Sequence, residues 1–264
     1  MKKSGLLKTL AAAALIGISS GLAGCLTVDD SKKSTLMEKD GDYSGAVVFT
    51  YTNERFLAEE IEALCDTGNS TEASYFYVPQ WHKEQADIYN AKFKMDLTCF
   101  KNQIKIPKEF IAPAGTFHPA NLEEISGYLR ETYLKLNDYD FLAINHVFPV
   151  EYYREGESSV YYALPNSRAF ILGTIKLEDG IGISYVLPRR SSFAHEFDHL
   201  LEATDKKEDG KGCKKNPETE ELYEPDDIMC ARQKDENGNW LDIYRLEELR
   251  ITPPTAYEIG WIRE

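Results

Sequence analysis

Residues 191–205 read Ser191-Ser192-Phe193-Ala194-His195-Glu196-Phe197-Asp198-His199-Leu200-Leu201-Glu202-Ala203-Thr204-Asp205. Phe193, Ala194, Phe197, Leu200 and Leu201 recur at three- and four-residue steps, which predicts a helix with one buried side. Ser191 or Ser192 is its expected cap. On such a helix His195 and His199 lie one turn apart and face the same way. Two neutral imidazoles so placed can hold one zinc ion, with zinc–nitrogen bonds of about 2.0–2.1 Å. Glu196 sits about 100° round the helix, within reach of a water on that metal. Zinc acidifies such a water and polarises a carbonyl. A carboxylate beside it can take the proton and later pass it to a leaving amine. The residue types and their spacing point to metal-assisted amide hydrolysis, with His195 and His199 as ligands and Glu196 as base. The bland alternative is two solvated histidines on a helix surface. Against it, only five histidines occur in the chain and two fall in this frame.

The start of the chain is a different kind of text. Lys2, Lys3 and Lys8 form a basic opening, and Leu10 to Ile18 is an apolar run too short to span a bilayer comfortably. Small residues follow, up to Leu22-Ala23-Gly24-Cys25. That order predicts a secretory signal peptide over 1–24. The tetrapeptide resembles the bacterial lipobox, which implies that Cys25 becomes the lipidated first residue of the mature protein. Acyl chains there would anchor the protein to a membrane without making it span one. Leu26 in place of Asp after the cysteine implies the outer membrane. Residues 25–42 then read as a polar, lipidated tether.

The formal net charge is −14, and losing a leader with three lysines and no acid takes it to −17. So acidic a chain has no evident phosphate-binding surface, which excludes nucleic acid as a partner. Of five cysteines, four remain beyond Cys25. An even number in an exported chain suggests two disulfides. Among the three pairings, Cys65–Cys99 and Cys213–Cys230 are expected, because each closes one local loop.

Ala46 to Tyr51 reads as a strand, Phe56 to Leu64 as a helix, and Tyr75-Phe76-Tyr77-Val78 and Ile104-Lys105-Ile106 as short strands. Asn121 can cap a helix in which Leu122, Ile125, Leu129, Tyr133 and Leu136 share a face. Asp140 to Phe148, Val160 to Ala163, Ala169 to Leu172 and Gly182 to Val186 are further strands. Asp205 to Asn239 is rich in charged residues, Gly and Pro, and reads as long irregular loop. Trp240 to Leu249 and Pro253 to Trp261 read as helices. His146 is expected in the core or at its rim, His82 and His118 in loops, and Asp198 in solvent. Tyr223 and Tyr244 are candidates to hydrogen-bond an oxyanion.

The run from His195 through Asp205 resembles the metzincin zinc peptidases, whose motif places a third ligand six residues after the second His. Asp205 holds that position, and a branch resembling the small secreted snapalysins has Asp there. Further matches support the resemblance. Gly182 to Val186 looks like the strand before the active-site helix. Asp227-Ile228-Met229 suits the Met-turn beneath the zinc, with Cys213–Cys230 bracing it. Ile251-Thr252-Pro253-Pro254 looks like the start of the closing helix. The resemblance thus covers roughly residues 120 to 264. One position departs from it: Glu202 stands where the family has Gly, and a side chain disfavours the left-handed turn needed there. Were the helix to continue, Asp205 would lie about 15 Å along the axis from His195. Asp205 as ligand therefore requires a break near Glu202–Thr204 by another geometry. Glu202, Glu218 and Glu221 stay open as rivals, and a glutamate from a later helix would resemble the gluzincins instead.

These readings together imply an α/β (α+β) fold of zincin or metzincin type: a twisted mixed sheet with the active-site helix and an irregular C-terminal part. The catalytic region is expected over 116–264. Residues 43–115 either complete its sheet or form a small extra module. The implied activity is a zinc endopeptidase acting on proteins or peptides at the bacterial envelope. The alternative is a surface or periplasmic binding or assembly lipoprotein that keeps a zinc site with little catalysis.

Overall fold

The strand Phe141–Phe148 has no polar alternation, and all eight of its residues are buried. A strand covered on both faces belongs in the middle of a sheet with layers on either side. That is its place in the computed structural model. The structure describes residues 36–37, 39–68, 74–112, 121–148, 161–179, 182–208, 212–243 and 245–263, without the side chains of 161, 175–179 and 182–186. Cys25, His118 and Tyr244 lie outside the described residues, as does the expected leader.

The main sheet is built from β1 (Asp42–Tyr51), β2 (Lys94–Lys105), β3 (Phe141–Phe148), β4 (Tyr161–Leu164), β5 (Ala169–Asp179) and β6 (Gly182–Val186). Its order is β2-β1-β3-β5-β4, with β6 paired to the far half of β5. The β1–β2, β1–β3 and β3–β5 pairs are parallel, whereas β4 and β6 run antiparallel to β5. The architecture is therefore mixed α/β. Because β1 lies between β2 and β3, residues 42–105 contribute two strands to the same sheet as the rest of the chain.

Alternate residues of β1 and β3 feed two cores. Val47, Phe49, Phe141, Ala143 and Val147 point to one face, where α2 (Val78–Ile88) and α4 (Arg190–Leu200) cover them. Ala46, Val48, Leu142 and Ile144 point to the other, beneath α3 (Leu122–Thr132). Asn121 caps α3 by accepting the Glu124 N–H at 3.3 Å. Cys65, just after α1 (Ala58–Leu64), pairs with Cys99 on β2 at a Cα separation of 6.0 Å. Among the described residues no helix is long and apolar enough to cross a membrane.

Three local expectations fail. Tyr75–Tyr77 is a 3-10 turn rather than a strand. Ser74 accepts the Phe76 N–H there, and Pro79 preorganises the first turn of α2, so capping chemistry overrides β propensity. Trp240–Leu249 is not a helix. Trp240–Asp242 pairs antiparallel with Arg232–Lys234, and Leu246–Glu248 is a 3-10 turn. The cause is the turn between them, where Asp235 accepts the Asn237 and Asn239 N–H groups and Gly238 takes a φ of +83°. Finally, α4 starts at Arg190 with no side-chain cap, so neither Ser191 nor Ser192 caps it.

Candidate metal centre

One side of α4 is pinned by aromatic packing. Phe197 lies 5.0 Å from Phe141, and Phe193 lies 4.9 Å from Phe170 and 4.8 Å from Tyr75, all between ring centroids. Gly45 makes room for this layer, because a Cβ there would occupy the Phe141 ring. With Phe193 and Phe197 committed inward, the helix presents His195 and His199 on its outer side. Their side chains are 13% and 11% exposed, and their rings stand 4.7 Å apart at 85° to one another.

Backbone carbonyls fix both rings. His195 Nδ1 donates to the Ile228 carbonyl at 3.0 Å, and His199 Nδ1 to the Ala203 carbonyl at 2.8 Å. A carbonyl can only accept, so each Nδ1 carries a hydrogen and each neutral ring presents a lone pair at Nε2. The two Nε2 atoms converge on Asp205 Oδ1, at 3.2 and 3.6 Å. Three acceptors meeting at one point repel unless a proton or a cation lies among them. With a proton or cation between them the balance turns: burial alone would raise the Asp205 carboxyl, but hydrogen bonds and positive charge from the His195 and His199 side hold the group well below the usual carboxylate range.

Glu196 lies beside them. Donor atoms of His195, Glu196 and His199 fall within 4.8 Å of one another. The Glu196 carboxyl is buried, and its Oε2 has no hydrogen-bond partner among the described residues. Burial pushes it up, against the pull of His199 and His195, while the Asp205 charge pushes the same way. Converging imidazole lone pairs, a carboxylate and an orphaned buried oxygen suit a divalent cation that takes nitrogen and oxygen ligands.

Asp205 reaches this point because α4 stops abruptly. Glu202 adopts a φ of +71°. Its N–H bonds the His199 carbonyl and the Ala203 N–H bonds the Asp198 carbonyl, each at 3.0 Å. This is the paired Schellman arrangement, formed with glutamate where glycine is usual. The left-handed turn that Glu202 was expected to prevent therefore forms. The cost of about 1–2 kcal/mol for a side chain in that region exceeds the roughly 0.5–1 kcal/mol of extra entropy that glycine loses on folding. Glu202→Gly should accordingly raise the melting temperature by roughly 1–4 °C, with metal binding unchanged. A lowered melting temperature in a thermal unfolding scan would show that Glu202 is not strained.

Beneath the helix, Met229 is fully buried. Its N–H donates to Asp227 Oδ1 at 2.8 Å and its carbonyl accepts the Lys206 N–H at 2.9 Å. The turn that holds His195 through Ile228 thus also holds the strand after Asp205. Cys213 and Cys230 pair beside it, with Cα atoms 5.6 Å apart. Glu218 and Glu221 are exposed and stand outside the His195–Glu196–His199 cluster. Tyr223 lies over Lys206, 5.3 Å from its Nζ.

Two expectations about single residues are wrong. His82 is not in a loop but fully buried on α2, and Asp198 is not solvated but fully buried on α4. His82 Nε2 meets Asp198 Oδ1 at 2.9 Å, and its Nδ1 donates to the Val78 carbonyl at 3.1 Å. Phe93 stacks on this imidazole at 5.2 Å. The pair fastens α2 to the helix that carries the cluster. No short-range signal could reveal it, since the partners are 116 residues apart. His146 is in the core, where its Nδ1 shares a hydrogen bond with Thr50 Oγ1 at 3.0 Å and burial pushes it down to about 3.

No family model matches the chain, and no curated protein does. Among solved structures, a zinc-dependent peptidase from Methanocorpusculum labreanum is similar at 15% identity and a TM-score of 0.34, over 81% of this chain and 100% of that one. A chain in the structure of a chaperone–substrate complex is similar at 13% identity and a TM-score of 0.33, over 85% of this chain and 36% of that one. Likeness this distant assigns no family, so what the chain does has to be argued from residues 195–229 themselves.

Proposed function

We propose that this chain is a zinc-dependent peptidase of the metzincin type, with His195, His199 and Asp205 as zinc ligands and Glu196 as general base. One observation carries it: two imidazoles with their Nδ1 hydrogens committed to carbonyls aim both Nε2 lone pairs at the Asp205 carboxylate, beside a Glu196 oxygen that has no hydrogen-bond partner among the described residues. Zinc held there would polarise the scissile carbonyl and acidify water.

The remaining work falls to the chain. The Ile228 and Ala203 carbonyls set the tautomer and azimuth of the two rings. Asp205 brings one negative charge to the site, which lowers its net charge by one relative to three histidines and moderates the acidity of water there. Glu196, raised by burial, is suited to take a proton from the attacking water at Oε2 and hand it to the leaving nitrogen. The substrate class is proteins or peptides.

The alternative of a binding or assembly lipoprotein drew its support from Glu202. With the left-handed turn formed at that residue, the departure no longer counts against Asp205 as a ligand. Zinc content and peptide-library cleavage of the wild type and Glu196→Ala separate the two. Zinc in both, with cleavage only in the wild type, is the expected result. Stoichiometric zinc without cleavage of any peptide would favour the binding protein, and absence of metal would remove both.

The proposed location is the bacterial envelope, with Cys25 as the acylated anchor and the outer membrane as its site. Support comes from the basic opening, the short apolar run and Leu22-Ala23-Gly24-Cys25. Cys25→Ser should move the protein from the detergent phase to the soluble fraction; unchanged partitioning defeats the anchor.

A further inference from the structure

The segment Ala203–Lys206 carries Asp205, and both neighbours of that residue are held by one carboxylate from far along the chain. Glu258, the last residue of α5 (Pro253–Glu258), accepts the Thr204 N–H on Oε2 at 2.9 Å. It accepts the Thr204 hydroxyl on Oε1 at 2.9 Å and the Lys206 ammonium on Oε2 at 2.7 Å. Among the described residues, the Thr204 and Lys206 side chains have no other side-chain hydrogen-bond acceptor. The Lys206 side chain is fully buried, and an ammonium out of water needs a close countercharge. Glu258 supplies it.

The helix bearing Glu258 is itself fixed to the turn below the cluster. Asp227 accepts the Thr252 N–H at 3.1 Å, the Thr252 hydroxyl, and the Thr255 hydroxyl at 2.8 Å, as well as the Met229 N–H. One path of charge-assisted bonds thus runs from Met229 through Asp227 and α5 to the residues either side of Asp205.

We infer that Glu258 is a positioning residue for the metal site: by gripping Thr204 and Lys206 it holds the Asp205 carboxylate where it closes the site with His195 and His199. This rests on the zinc-site reading above. The Lys206 N–H on the Met229 carbonyl and the Lys214 ammonium on the Asp205 carbonyl, each at 2.9 Å, hold the far side of Asp205, and Glu258 holds its near side at Thr204. Outer partners of metal ligands generally govern metal affinity in this way.

Glu258→Gln tests it with volume conserved. A glutamine offers one acceptor oxygen, so its amide must face either Lys206 and the Thr204 N–H or the Thr204 hydroxyl. Zinc affinity, measured by chelator competition, should fall by about 10–100-fold. The visible spectrum of the cobalt-substituted protein should shift toward that of Asp205→Ala. A purely structural role would lower the melting temperature and leave both readouts of the folded protein unmoved. Wild-type affinity and spectrum in Glu258→Gln, with Asp205→Ala impaired, overturn the positioning role and leave the zinc site standing. A wild type that binds no metal, or an Asp205→Ala that binds it normally, overturns the zinc-site reading and this inference with it. Should Glu258→Gln fail to fold, Thr204→Ala removes one donor from the loop side and should weaken zinc binding roughly fivefold; unchanged binding there also counts against the inference.

Discussion

Glu196→Gln is expected to leave zinc binding intact and lower kcat for peptide cleavage by about 10²–10⁴-fold, the usual contribution of a positioned acid–base group. The substitution keeps volume and shape and removes only the group's capacity to take up a proton. Among the described residues the native Oε2 has no hydrogen-bond partner to lose. Burial of the ionised carboxyl is costly, as its raised pKa shows, and a neutral amide avoids that cost. The variant should therefore fold at least as well as the wild type, which separates chemistry from stability. Zinc stoichiometry, melting temperature and single-turnover cleavage would be read on the same preparation. Undiminished turnover in Glu196→Gln would remove Glu196 from the reaction, whatever the metal content.

The second large effect concerns the proposed third ligand. Asp205→Ala should weaken zinc binding by more than about 100-fold, because even outer partners of metal ligands are commonly worth 10–100-fold. The structure gives the contrast its sharpness. Asp205 Oδ1 stands 3.2 and 3.6 Å from the two Nε2 atoms, whereas Glu218 and Glu221 are exposed. Glu218→Ala and Glu221→Ala are thus expected to bind zinc as the wild type does. A loss in either, with Asp205→Ala unaffected, would transfer the third ligand to the later loop. Acidification should weaken binding in the wild type, since protons compete for the same nitrogen lone pairs.

Much of the site was legible because its parts are local. His195, Glu196 and His199 share one helical turn, and turn geometry follows from spacing alone. The same holds for the Asn121 cap and for Phe141–Phe148, whose mostly apolar run read as a strand. Misreadings arose where residues at medium range compete. Ser74 and Pro79 turned an apparent strand into a helix start, and Asp235 with Gly238 turned an apparent helix into a hairpin. Lys206 carried no signal at all. A lysine in a charged loop reads as solvated until Glu258, 52 residues away, is seen beside it.

From the amino-acid order alone came the helix with its two imidazoles and carboxylate and the two cysteine pairings, because each depends on periodicity or short loop closure, whereas the mixed sheet was implied by the metzincin resemblance. Tertiary structure alone decided that Glu202 would take the left-handed turn, that Asp205 would swing back to the imidazoles, and that Asp198 would be sealed against His82. These outcomes are differences between local strain and distant compensation. A strained φ at one residue is tolerated only because packing around Phe197, the turn at Met229 and the Glu258 carboxylate together hold the chain there, and no window of sequence contains all of those partners at once.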